Sequence, residues 1–115
     1  MENKEFWQIV DKLVEESEIV IDRAKGSEHP KWKGFIYPLD YGFLKGSSSM
    51  DGDGIDVWVG SLPERKANAV ICIVDYFKKD SEIKILLGCS DEEKQTIYNH
   101  HNKTSGMKGL MMERE

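Results

Sequence analysis

The sequence predicts an α+β protein that is mainly β: a small antiparallel β-barrel with a helix at its N-terminal end and another at its C-terminal end. Three observations lead there. Helical periodicity is confined to residues 3–16 and to the segment that opens at Ser90; between Glu18 and Gly88 the apolar residues alternate or fall in short runs; and Gly and Pro turns separate those runs. A chain of 115 residues has room for one domain, taken as 1–115, and one modest core.

Asn3 stands as an N-cap, and Phe6, Ile9/Val10 and Leu13/Val14 recur at helical spacing, which predicts a packing helix to Glu16. From Glu18 the period becomes two. Ile19, Ile21 and Arg23 then share one face of a strand, with Glu18, Val20 and Asp22 on the other. Residues 23–33 read as a loop by their Gly, Ser and Pro content, and the loop is cationic, with Arg23, Lys25, Lys31 and Lys33. Tyr37 and Tyr41 flank a turn set by Pro38, and Gly42 suits a close backbone approach. Val57–Val59 and the apolar run Ala69–Val74 read as strands, the second buried on both sides or in a closed barrel. In 80–87, alternation puts Glu82 and Lys84 on one face and Ile83, Ile85 and Leu87 on the other, with Asp80 at the turn before them. Ser90 with Glu93 forms a capping box for a helix reaching His101 or Asn102, and 106–112 reads as a terminal turn with a short strand or coil. His100 and His101 are adjacent, so they diverge by ~100° on a helix and do not chelate one ion together.

The chemistry concentrates in Asp51-Gly-Asp53-Gly-Ile-Asp56. Three carboxylates in so short a span repel one another unless a cation, a proton or solvent compensates, and carboxylate oxygens suit hard divalent ions. Gly52 and Gly54 allow the chain to turn so that the carboxylates converge. A solvated Asp/Gly turn is the plain alternative. An EF-hand fails on count: with Ser49 as position one, Gly60 stands where the bidentate Glu belongs, and the following segment reads as strand.

Tyr37-Pro38-x-Asp40-Tyr41-Gly42 followed by Asp51-Gly-Asp53-x-x-Asp56 resembles the soluble, Mg²⁺-dependent inorganic pyrophosphatases of family I, and the likeness runs from Ser17 to Gly88. It implies an OB-like, pyrophosphatase-type barrel. It implies hydrolysis of inorganic pyrophosphate, with Mg²⁺ as cofactor and Mn²⁺ as a substitute. By the same resemblance Asp51 and Asp56 are metal ligands, Asp56 bridging two ions, and Asp53 takes the proton of the attacking water. Asp80, Glu82 and Asp22 match further metal-binding carboxylates. Lys84, Lys31 and Tyr41 match phosphate-holding groups, with Tyr37 near the site or in the core.

The chain departs from that family where only Lys33-Gly34-Phe35-Ile36 stands in place of a hairpin that carries a phosphate-binding arginine; Arg23 or Lys25 takes that part, or selectivity differs. Loss of the hairpin leaves two other readings open: a phosphohydrolase of an organic or nucleotide diphosphate, and a non-catalytic module for metal or phosphate. Asp53, which binding alone does not need, favours the enzyme.

The formal net charge of −5 argues against a nucleic-acid partner and calls for local cations beside a phosphate. No apolar run approaches the ~18 residues of a membrane span and no leader precedes the first helix, so a cytoplasmic protein with no membrane partner is expected. Cys72 and Cys89 read as reduced core thiols. Short barrels bury apolar surface by association, so a homo-oligomer is anticipated, with Trp58 at the rim of the site or in a contact.

Overall fold

The structure is a computed structural model that describes residues 3–49 and 52–115. Eight elements follow one another: helix α1 (Lys4–Glu15), strands β1 (Glu18–Arg23), β2 (Asp40–Lys45), β3 (Ile55–Val59), β4 (Ala67–Asp75) and β5 (Asp80–Leu87), helix α2 (Asp91–His100), and strand β6 (Met107–Glu113). The α+β class and both terminal helices are as expected. No helix is long and apolar enough to cross a membrane among the described residues.

The sheet differs from the antiparallel barrel. Its six strands lie in the order β1-β2-β3-β5-β4-β6, open rather than closed, and β3 pairs with β5 in parallel. After β3 the chain passes outward to form β4 and returns through the turn at Asp75–Asp80, so β5 inserts between β3 and β4. Alternation assigns each residue a face but not a neighbouring strand, so the sequence pattern could not reveal this order. Strand β6, which the sequence leaves as a short strand or coil after a turn, forms by pairing antiparallel with β4.

The two faces of the sheet carry separate cores. Helix α1 buries Trp7, Val10 and Val14, spaced three and four apart, against Leu44, Val57, Val59, Val70, Ile85 and Leu87. Phe6 and Ile9, at neighbouring helical positions, stay exposed because the stripe is rotated by one residue. Asn3 occupies the N-cap position without a side-chain cap; its carbonyl accepts the Trp7 N–H at 3.2 Å. On the opposite face, Ile97 of α2 and Tyr37 and Leu39 of the 24–39 loop cover Trp58, Ile71, Ile73 and Leu86. Gly42 lies so close to β1 that a Cβ there would stand 1.8 Å from the Val20 carbonyl oxygen. Cys72 and Cys89 are both free thiols.

A guanidinium joins the start of the chain to its end. Arg114 donates through both terminal nitrogens to the two carboxylate oxygens of Asp11, each at 2.7 Å, and also to the Ala67 carbonyl at 3.0 Å. This fork holds the Asp11 carboxyl below the usual carboxylate range. Both side chains remain about a fifth exposed, so the pair is worth about 1 kcal/mol, the upper end for accessible ion pairs. Arg114→Ala should therefore lower the urea midpoint by a corresponding small amount at pH 7. Because the folded-state pKa of Asp11 is depressed, the difference should shrink as pH falls below the ordinary value of 3.8.

Candidate active site

Register and alternation gather the chemistry on the face that α2 covers. Tyr41 of β2 lies opposite Trp58 of β3, and Trp58 lies beside Leu86 of β5. Stepping two residues along each strand brings Asp56 and Lys84 into line, with Glu82 two further on. Lys84 is the centre of the group. The residue is 6 % exposed, and its ammonium sits 3.1 Å from Asp56 Oδ2 and 3.0 Å from Glu82 Oε1 and donates to the Tyr41 hydroxyl. A buried ammonium is tolerated because three oxygens surround it. Burial first, then the negative charges of Asp56 and Glu82, push the Tyr41 hydroxyl well above its ordinary pKa, so it stays protonated.

These side chains line a groove of about 820 Å³ that also takes in Asp80, Lys33, Lys78 and Lys103. The turn between β4 and β5 supplies Lys78, whose backbone N–H donates to the Asp75 carboxylate at 3.1 Å. Trp58 forms part of the lining but is 1 % exposed, so it belongs to the buried wall rather than to a rim. Its indole N–H donates to His101 Nε2 at 3.1 Å. That bond leaves the imidazole proton on Nδ1, a buried atom with no hydrogen-bond partner among the described residues. Burial, then the nearby Lys84 charge and His100, push the His101 pKa down to about 3. His100 is lowered to about 4, by burial first and then by Lys103 and Lys84.

Residues 10–113 match the family model described as Inorganic Pyrophosphatase. The chain belongs to the inorganic pyrophosphatase family. Membership places it among enzymes, the inorganic diphosphatases. Solved structures agree at the level of fold: an inorganic pyrophosphatase from Helicobacter pylori (16% identity, covering 83% of this chain and 81% of that one, TM-score 0.58), a protein from Anaplasma phagocytophilum titled an inorganic phosphatase (16%, 83% and 81%, 0.54), and an inorganic pyrophosphatase from Neisseria gonorrhoeae (18%, 84% and 75%, 0.51). No curated protein sequence matches.

Within this pyrophosphatase fold the predicted site residues divide. Tyr37, Tyr41, Asp56, Asp80, Glu82 and Lys84 all line the one groove. Asp53 is exposed in the bend before β3 and is not part of the lining. Asp51 lies outside the described residues. Asp22 sits at a β-bulge between Ile21 and Arg23, where its carboxylate faces the Arg23 guanidinium at 3.5 Å, and neither residue is in the groove lining. Lys25 and Lys31 are exposed and outside the groove lining, although Lys31 adjoins its Trp32, the first held by its backbone N–H on Asp40 and the second by its backbone N–H on His29. Sequence reasoning passed over Lys78 and the pairing of Trp58 with His101. Lys78 had a signal, its place in the turn just before Asp80; the Trp58–His101 contact spans 43 positions and had none.

Divalent metal is the cofactor such an enzyme calls for, and the donors can be tested for it. Among the described residues no three His, Cys, Asp or Glu side chains are gathered as a closed metal cage. Mg²⁺ does not require one, since it keeps several waters and takes one or two carboxylates together with substrate phosphates. Asp56 and Glu82 already aim oxygens at one cation, Lys84 Nζ, and keep 26% and 35% of their side-chain surface accessible on the groove. The oxygen-only donor set fits Mg²⁺.

Proposed function

We propose that the protein hydrolyses inorganic pyrophosphate to two phosphates in an Mg²⁺-dependent reaction, with Mn²⁺ as a substitute. The observation that carries this is the cluster of Lys84, Tyr41, Asp56 and Glu82 on the groove. Asp56, Glu82 and Asp80, with Asp51, would hold the ions. Bound there, Mg²⁺ offsets substrate charge and acidifies a coordinated water.

The chain's own residues do the rest. Lys84 is held in one place by Asp56, Glu82 and Tyr41, which take up its three donors, so it would meet a phosphate oxygen by exchanging one of these partners for it. Tyr41 keeps its proton and can donate alongside it. Asp53, in the bend before β3 and outside the lining as it stands, is the base that would accept the proton of the attacking water as the new P–O bond forms and the bridging oxygen leaves with the second phosphate.

Phosphate release from pyrophosphate with Mg²⁺, measured for the native chain, Asp53→Ala and Asp56→Asn, tests this. Each variant should lose roughly 10²–10⁴-fold in kcat. A native chain that releases no phosphate would end the proposal, and an Asp53→Ala variant at native rate would remove Asp53 from its role.

A further inference from the structure

The groove is far more aromatic than a pyrophosphate anion needs. Trp32 stacks on His29 with centroids 4.7 Å apart and planes at 22°. His29 lies parallel to Tyr37 at 6.2 Å, and Phe35 meets both Tyr37 and His100 edge-on at 5.2 and 5.1 Å. All of these rings line the same groove as Lys84. Trp32 is 58 % exposed, so with one ring face on His29 much of the indole is left open to solvent. An inorganic anion gains nothing from such a wall, whereas a planar heterocycle gains both apolar contact and ring stacking. The volume of about 820 Å³ lies in the roughly 300–1,000 Å³ range of clefts that enclose organic ligands.

We infer that the groove takes a nucleoside diphosphate, its base stacked on the Trp32 wall and its diphosphate at Lys84. The inference rests on the hydrolase reading of the Lys84 cluster and names a second substrate class for it. A water oxygen bonds to the terminal phosphorus, the bond from that phosphorus to the bridging oxygen breaks, and the bridging oxygen leaves with the nucleoside monophosphate. The proton of the water is released to solvent, and the second product is inorganic phosphate. Lys33 and Lys103, both on the groove lining, suit the inner phosphate and offset charge that the base cannot.

The test uses ADP, methyl diphosphate and pyrophosphate, each with Mg²⁺, on the native chain, Trp32→Ala and Trp32→Phe. Phosphate release gives kcat/KM, and calorimetry gives ADP binding independently of turnover. ADP should be cleaved in preference to methyl diphosphate, which has no ring. In Trp32→Ala the ratio of kcat/KM for ADP to that for pyrophosphate should fall roughly 5- to 150-fold, and ADP binding should weaken in step; Trp32→Phe should restore most of both. Equal rates on ADP and methyl diphosphate, or a ratio unmoved by Trp32→Ala, would overturn the inference. Pyrophosphate turnover with no ADP binding overturns it while leaving the hydrolase reading intact. Absent release from pyrophosphate itself marks failure of that underlying reading instead.

Discussion

Lys84→Met should reduce Mg²⁺-dependent phosphate release from pyrophosphate by roughly 10²–10³-fold, the usual loss when one preorganised donor to developing charge is removed. Methionine keeps the length and apolar stem of the side chain, so β5 can retain its packing. What disappears is the ammonium that joins Asp56, Glu82 and Tyr41. The two carboxylates then repel each other without compensation, and the Tyr41 hydroxyl loses its donor. Since Asp56 and Glu82 are a quarter to a third exposed, water takes up part of the deficit, and the stability loss should be limited to about 1–3 kcal/mol. Urea unfolding and steady-state kinetics on the same preparation separate the two effects. A fall in kcat of less than twofold in a folded variant would remove Lys84 from the chemistry.

Acid should destabilise the fold through two of the groove histidines, His100 and His101, well before the carboxylates protonate. The ordinary histidine value is 6.5, and in the folded chain His101 lies at about 3 and His100 at about 4. Between these limits the unfolded state binds more protons, so stability rises with pH across the window. It is complete above pH 6.5 and is lost progressively as pH falls toward 3. At pH 4.5 His101 alone accounts for about 2–3 kcal/mol, and His100, which is less buried, for less. His101→Gln keeps an acceptor for the Trp58 indole but does not titrate. Its unfolding free energy should decline less between pH 7.5 and 4.5 than that of the native chain; parallel declines would refute the assignment.

What the sequence could and could not disclose follows from the range of each interaction. The facing of Glu82 and Lys84 away from Ile85 and Leu87 was legible, because alternation is a local property of a strand. The capping box was legible for the same reason: Ser90 Oγ accepts from the Glu93 N–H at 3.2 Å, and Glu93 Oε1 accepts from the Ser90 N–H at 2.8 Å. Asp56 fell on the groove because its motif carries it onto β3, but Asp22 did not, because a bulge redirected it toward Arg23. A bulge is a property of a pair of strands and leaves little trace in one of them. The parallel insertion of β5, the pairing of β6 with β4, and the contact from His101 to Trp58 depend on residues far apart in the chain, beyond the reach of any periodicity.

The two cores on opposite faces of one sheet divide the demands on the sequence at every second residue. Along β3, Val57 and Val59 answer to helix α1, while Asp56 between strand start and core answers to the groove. Along β5, Ile85 and Leu87 do the former and Glu82 and Lys84 the latter. Folding and catalysis are thus written in alternate letters of the same two words. The α1 side can drift among apolar residues of similar volume without altering the groove, and the groove can exchange one substrate for another without a new scaffold.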